Sequence, residues 1–417
     1  MKTASRPRVF ALATPLVVLS LTSGVSPRAM ADWPQWRGPN RDGRSAEQGL
    51  LKTWPSSGPR LAWRASGAGE GYSSFAVANG RLYTLGARGD REYVMAFDVA
   101  SGKQVWATDH GRRFGNDRGD GPRATPTVEN DRVYAFGASG DMTVLDAASG
   151  KIIWTVNVLQ KFGGSNITWG LSESPLVLED RILLNAGGQP DASLVALKKA
   201  DGSVLWRSQS DEPGYSSAVL HEIGGIRQAI FFTGERALGV DVDNGRLLWS
   251  YDKVSNRTAN IATPIVRGNR VFLSSDYGTG AALLELTPGG NSVDAREVYF
   301  TKDMRNHHAS SVLIGDYLYG FSSAILTAMR FDTGDVAWRD RSVGKGSVVY
   351  ADDRLYLFSE QGVVGLAEAS PDGYREHGRF TIETGRLPTW SHPVVSGGKL
   401  FIRDQDSIYA YNVAAGS

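Results

Sequence analysis

The sequence predicts an all-β chain folded as an eight-bladed β-propeller of four-stranded antiparallel blades, the ring closed by an N-terminal strand that completes the C-terminal blade. Three observations carry this expectation. One phrase ending in an aromatic residue recurs along the chain. Each recurrence has room for four short strands, and the two ends supply complementary parts of one blade.

The phrase is clearest in Ser101-Gly102-Lys103-Gln104-Val105-Trp106 and Ser149-Gly150-Lys151-Ile152-Ile153-Trp154. It returns with Gly202 before Trp206, Gly245 before Trp249 and Gly334 before Trp338. A partial copy, Gly58-Pro59-Arg60-Leu61-Ala62-Trp63, precedes them, and degenerate copies place Tyr299 and Phe380 where Trp is expected. The aromatics stand roughly 40–50 residues apart, the period of a propeller blade. One large ring per blade at a fixed strand position is expected to pack between neighbouring blades.

Residues 125–157 show the grammar inside one period. Thr125-Pro126-Thr127-Val128 reads as a strand entered through Pro, where a missing N–H is tolerated. Asn130-Asp131 turns, and Arg132-Val133-Tyr134-Ala135-Phe136 is a β-branched and aromatic strand. Gly140-Asp141 turns again before a third strand over 142–146. Ser149-Gly150 then makes a tight turn into the fourth strand over 151–156, glycine taking the left-handed position. No amphipathic helix of useful length separates the strands, which argues against a parallel α/β fold.

At the C-terminus, residues 392–413 supply three strands and stop where the aromatic strand should follow. That strand exists at the other end, as Leu61-Ala62-Trp63-Arg64. A closed ring leaves no blade edge unpaired. Counting every aromatic gives eight blades. The count falls to seven if the unit ending at Tyr299 or Phe380 is no blade.

Composition narrows the function classes. The 417 residues are 41% hydrophobic and 21% charged, which marks a folded globular chain. With no Cys there are no disulfides, thiolate zinc sites, covalent c-type haem, Cys nucleophile or lipid-modified Cys. A formal charge of +1 gives no electrostatic case for nucleic acid or an anionic membrane.

The start of the chain reads as an address. Lys2, Arg6 and Arg8 precede an apolar run over 9–21, and Ala29-Met30-Ala31 supplies a small-x-small cleavage pattern. The run is too short to span a bilayer and contains Pro15. The expectation is a signal peptide over 1–31 cleaved after Ala31, a propeller domain over 32–417, and a periplasmic or secreted product. Nothing later in the sequence reads as a membrane span.

The phrase Ala96-Phe97-Asp98-Val99-Ala100-Ser101-Gly102-Lys103-Gln104-Val105-Trp106 resembles the tryptophan-docking motif of the pyrroloquinoline quinone (PQQ) propeller superfamily. That superfamily includes quinoprotein dehydrogenases and BamB-type outer-membrane assembly proteins. The opening Asp32-Trp33-Pro34-Gln35-Trp36-Arg37-Gly38-Pro39 is similar to the start of exported bacterial PQQ-like repeat proteins. The resemblance extends over nearly all of residues 32–413 and is specific for fold rather than activity. It implies eight blades and admits PQQ with Ca²⁺ as cofactors, but two features depart from the enzymes. There is no vicinal Cys pair, and Ala281 follows Tyr277-Gly278-Thr279-Gly280 where those enzymes commonly place a Ca²⁺-ligating Asn. The N-terminal Cys of a BamB-type lipoprotein is also absent.

In a propeller the loops leading into the innermost strands converge on one face near the axis. Here they span residues 69–74, 119–126, 168–175, 212–217, 258–264, 305–311, 343–349 and 388–394. They bring Arg123, Lys345, Glu173, Asn260, His307, His308 and His392 towards one mouth, with Tyr72, Trp169, Tyr215 and Trp390 among them. Cations, a carboxylate and flat rings suit a planar polyanion such as PQQ, and they equally suit ordinary polar channel lining. No metal site is assigned. Adjacent residues on a strand point to opposite faces, which makes His307-His308 a poor chelate. Glu173 with Asn260 falls well short of the six to eight oxygens Ca²⁺ takes.

No catalytic residue is assigned either. The leading expectation is a non-catalytic binding or scaffold propeller in the periplasm or cell envelope, monomeric, with an unidentified envelope protein or small polar ligand as partner. The alternative is a PQQ-dependent oxidoreductase, with Arg123 or Lys345 polarising the quinone and Glu173 helping to remove a proton. A third reading is a hydrolase or lyase using His307, His308 or His392 as acid–base groups.

Overall fold

A computed structural model describes residues 1, 32–290 and 292–416. The expected signal segment, apart from Met1, lies outside the described residues.

Among the described residues the strands form eight sheets, each built on four antiparallel strands. In chain order, blade 1 spans residues 76–112, blade 2 127–157, blade 3 176–208 and blade 4 219–251. Blade 5 spans 265–301, blade 6 312–340 and blade 7 346–381. Blade 8 takes its three inner strands from 394–412 and its outer strand, Leu61–Ala65, from the other end of the chain. Leu61 pairs with Tyr411, Trp63 with Ala410 and Arg64 with Tyr409. The count of eight and the closure therefore stand as the repeats predict. Central strands are covered on both faces and read as unbroken apolar runs, such as Ile182 to Leu184, all buried. Outer strands alternate, as in Val204–Ser208, where Trp206 is the buried residue.

The recurring phrase has a local cause. Asp98 Oδ1 accepts hydrogen bonds from the Ser101 backbone N–H (2.8 Å) and hydroxyl (2.5 Å), which fixes the turn. Gly102 follows with φ 71°, a left-handed angle natural to glycine. A Cβ there would lie 2.5 Å from the Trp63 ring of the preceding blade, and that indole donates to the Val99 carbonyl at 3.0 Å. The contact repeats from Trp106 to Ala147, Trp154 to Lys199, Trp206 to Val242 and Trp338 to Ser370. Tyr299 does the same through its hydroxyl to Phe331, and Phe380 packs on Gly58. Trp249 is the exception. It faces blade 5, whose outer turn lacks the phrase, and donates instead to Gln228 within its own blade at 2.5 Å.

Two further devices act near the axis. Arg403 is fully buried at the seam between blades 8 and 1, where it donates to the carbonyls of Ser73, Leu85, Ala68, Gly69 and Gln405. The second is an N-terminal strap over residues 33–47. Trp33 bridges to Val77 of blade 1, and the Pro34 carbonyl accepts from Val128 of blade 2. Arg41 donates to Ser174, Pro175 and Ala218, at the entries to blades 3 and 4. The Trp36 indole donates to Thr263 before blade 5, and Arg37 to Ser310 and Ser311 before blade 6. Arg44–Ser45 adds a parallel strand to the inner edge of blade 7, and Ser45 donates to Val395 of blade 8. The strap thus touches all eight blades, at their inner strands or at the loops that enter them.

Candidate functional site

The loops leading into the inner strands surround a cavity of about 610 Å³ on the propeller axis. Its floor is the strap, through Trp36, whose ring lies 4.5 Å from that of His392. Its walls are aromatic. Tyr72 packs on Trp390 at 4.9 Å, Trp169 on Tyr215 at 5.6 Å and Tyr277 on His307 at 5.2 Å.

Of the sequence-predicted residues, Tyr72, Arg123, Trp169, Tyr215, His307, His308, Lys345, Trp390 and His392 all line this one cavity. Glu173 and Asn260 do not. Glu173 is buried in the wall, where Oε1 accepts from the Asn185 backbone N–H at 2.9 Å, and burial pushes its carboxyl up to about 8. Asn260 ties its own loop to the turn between the second and third strands of blade 4. It donates to the Thr233 and Gly234 carbonyls and accepts from the Asn256 backbone N–H. The expected placement of Glu173 and Asn260 at the mouth is therefore corrected, because both side chains turn away to serve the backbone.

The charges differ from the expectation in detail. Arg123 lies between Phe114 and Tyr72, 4.9 and 5.5 Å from their ring centres, and donates to the Gly119 and Gly121 carbonyls. It is a wall element more than a free cation. Arg118, one residue outside the loop read from the sequence, is exposed at the rim. Lys345 Nζ lies 3.1 Å from Glu360 Oε1, which also accepts from the Trp390 indole at 2.7 Å. Burial lowers the pKa of all three cavity histidines, His392 to about 3, so they stand neutral near pH 7.

Trp36, Arg118, Tyr277 and Glu360 were missed by the sequence reading. Tyr277 and Glu360 sit in the turns between the second and third strands of blades 5 and 7. Those turns open on the same face as the loops entering the inner strands. A search that included both sets would have found them.

The structure also corrects the reason for dismissing the histidine pair. Residues 307 and 308 form a bend ahead of the inner strand Val312–Ile314, so their side chains need not alternate. Both rings face the cavity, and with Glu360 they place three potential ligand atoms within 4.8 Å of one another. A Ca²⁺ site of the quinoprotein type does not fit. Glu360 is the one carboxylate among the cavity residues, no Asn or Asp joins it, and hard cations take six to eight oxygens.

The chain is 24% identical over 402 residues to the outer membrane protein assembly factor BamB of Shewanella oneidensis, covering 83% of this chain and 86% of that one. It is 23% identical over 304 residues to the quinoprotein alcohol dehydrogenase PedH of Pseudomonas putida, covering 69% of this chain but only 45% of the dehydrogenase. Among solved structures, BamB from Moraxella catarrhalis superposes with a TM-score of 0.61 at 12% identity, over 85% of this chain and 99% of that one. The quinohemoprotein alcohol dehydrogenase of Comamonas testosteroni gives 0.65 at 12%, over 93% and 81%. At such identities the superpositions speak for the fold alone. Residues 90–340, more than half the chain, match the family model PQQ_2, described as outer membrane protein assembly factor BamB. With its eight closed blades, the chain belongs to this family of PQQ-like β-propellers.

Proposed function

We propose that this protein is a non-catalytic binding propeller of the cell envelope whose axial cavity takes a small, flat ligand carrying anionic groups. The observation that supports this best is the cavity, with ring faces on its walls, the cations Arg118 and Lys345 in its lining and Trp36 of the strap beneath. Apolar walls with a few convergent polar groups are the usual make-up of a small-molecule site. The relatives named as outer membrane assembly factors support an envelope setting and a binding role towards an envelope protein. The neutral histidines, and a Glu360 engaged by Lys345 and Trp390, favour holding a ligand over proton transfer.

PQQ, a planar tricarboxylate, is the first probe. Calorimetry with and without Ca²⁺, with dye-linked alcohol oxidation assayed on the same sample, is expected to show one-to-one binding without turnover. Arg118→Ala and Trp390→Ala should each weaken binding about tenfold, the loss of one charge-assisted contact or one stacked ring. Turnover with alcohols would overturn the non-catalytic reading in favour of a quinoprotein oxidoreductase. No binding up to millimolar PQQ would remove this ligand class and leave a propeller that binds through its outer surface.

A further inference from the structure

We infer that His307, His308 and Glu360 form a binding site for one divalent transition-metal ion of the Zn²⁺ class, with an open coordination position facing the axial cavity. This goes beyond ligand binding by the aromatic walls and does not depend on it.

The donor set is the first argument. Two imidazoles and one carboxylate are the ligand types that borderline cations such as Zn²⁺ accept in three-residue open sites. The second argument is distance. Tetrahedral Zn²⁺ with bonds of about 2.0–2.1 Å holds its ligand atoms roughly 3.3 Å apart. Here all three potential ligand atoms already lie within 4.8 Å, so small side-chain rotations close the set. The third is the state of the nitrogens. His308, with 8% of its side chain exposed, has neither ring nitrogen in a hydrogen bond, and His307 Nδ1 is likewise unpartnered. His308 Nδ1 points at Glu360 Oε1 across 3.6 Å, too long for a hydrogen bond and apt for an ion between them. Buried imidazoles almost always pair, so three idle nitrogens on two rings beside one carboxylate are informative.

Lys345 decides how the ion enters. Its ammonium lies 3.1 Å from Glu360 Oε1, where it supplies the counter-charge to the carboxylate. A quarter of its side chain is exposed at the cavity, which gives it room to swing out as a cation arrives. Removing that ammonium should therefore strengthen metal binding, the opposite of what removing a ligand does.

The test titrates the tag-free, chelator-treated chain with Zn²⁺ alone by calorimetry and records the visible spectrum of the Co²⁺-loaded chain. One saturable site at micromolar or tighter concentration is expected, with the strong absorption of four-coordinate Co²⁺. His308→Gln and Glu360→Gln should each weaken Zn²⁺ binding by about tenfold or more, and Lys345→Met should tighten it several-fold. Absence of saturable binding to the unsubstituted chain below millimolar Zn²⁺ would overturn the site, whatever the variants do. So would equal affinities in the unsubstituted, His308→Gln and Glu360→Gln chains, which would move binding to other histidines. PQQ binding is measured without Zn²⁺, so the two proposals fail separately.

Discussion

Glu92 lies behind Arg123, 1% exposed, with its two oxygens accepting from the backbone N–H groups of Phe114 and Ala138 at 3.2 Å. His110 Nε2 is 4.0 Å away. Burial pushes the Glu92 carboxyl from its ordinary 4.5 up to about 7, and pushes the His110 imidazole down to about 4. A carboxyl whose folded pKa is raised holds its proton more tightly in the folded chain. That stabilisation is complete below the unfolded value and is lost as pH rises through about 7. Glu92→Gln removes the titration, so its stability relative to the parent chain should climb by about 3 kcal/mol between pH 4.5 and 8. Urea unfolding at both pH values checks this, and a pH-independent difference would refute it. Single residues of this kind were poorly legible in the sequence. Loop position alone brought Tyr72, Trp390 and the three histidines to one cavity, but it could not tell Lys345, which faces the opening, from Glu173, which turns back to the Asn185 N–H.

The blade-to-blade contact belongs to the element scale. Six of the eight outer-strand aromatics, all but Trp249 and Trp338, close on the glycine of the next blade's turn, so the phrase encodes an interface as well as a hairpin. Gly150 has φ 72°, and a Cβ there would stand 2.6 Å from the Trp106 ring. Gly268 has φ 60° with nothing within 4 Å of the same atom. Gly268→Ala should therefore show left-handed strain alone, about 1–2 kcal/mol, and Gly150→Ala should lose about 2 kcal/mol more through overpacking. Thermal unfolding of the two variants side by side measures the difference, and equal losses would mean the ring contact is slack. Strands and turns were legible because alternation, Gly and Asp act within a few residues of one another. The substitutions at Tyr299 and Phe380 were legible because the spacing held. Trp249 was not, because its altered partner depends on a turn in blade 5 some forty residues away.

At the scale of the whole molecule, closure could be read from two incomplete ends, whereas the strap could not. Asp32 to Asp42 has no strand periodicity, and its Arg37 and Arg41 point to backbone carbonyls, which leave no trace in composition. Arg41 is 4% exposed and serves three carbonyls from the entries to blades 3 and 4. Arg41→Met leaves those oxygens buried and unpaired, and should lower stability by about 3 kcal/mol or more. Limited proteolysis should then cut the strap before the blades, and simultaneous cleavage of both would show that the strap is no separate anchor.

The strap also decides which way molecules can travel. A ring open at both ends can be threaded, and a long polymer could slide through it. With a strap tied to the inner side of every blade, this ring is expected to be a dead end. Whatever enters must back out the way it came. Exit would then pass the rim, and a chain-like molecule could offer only its tip or a loop.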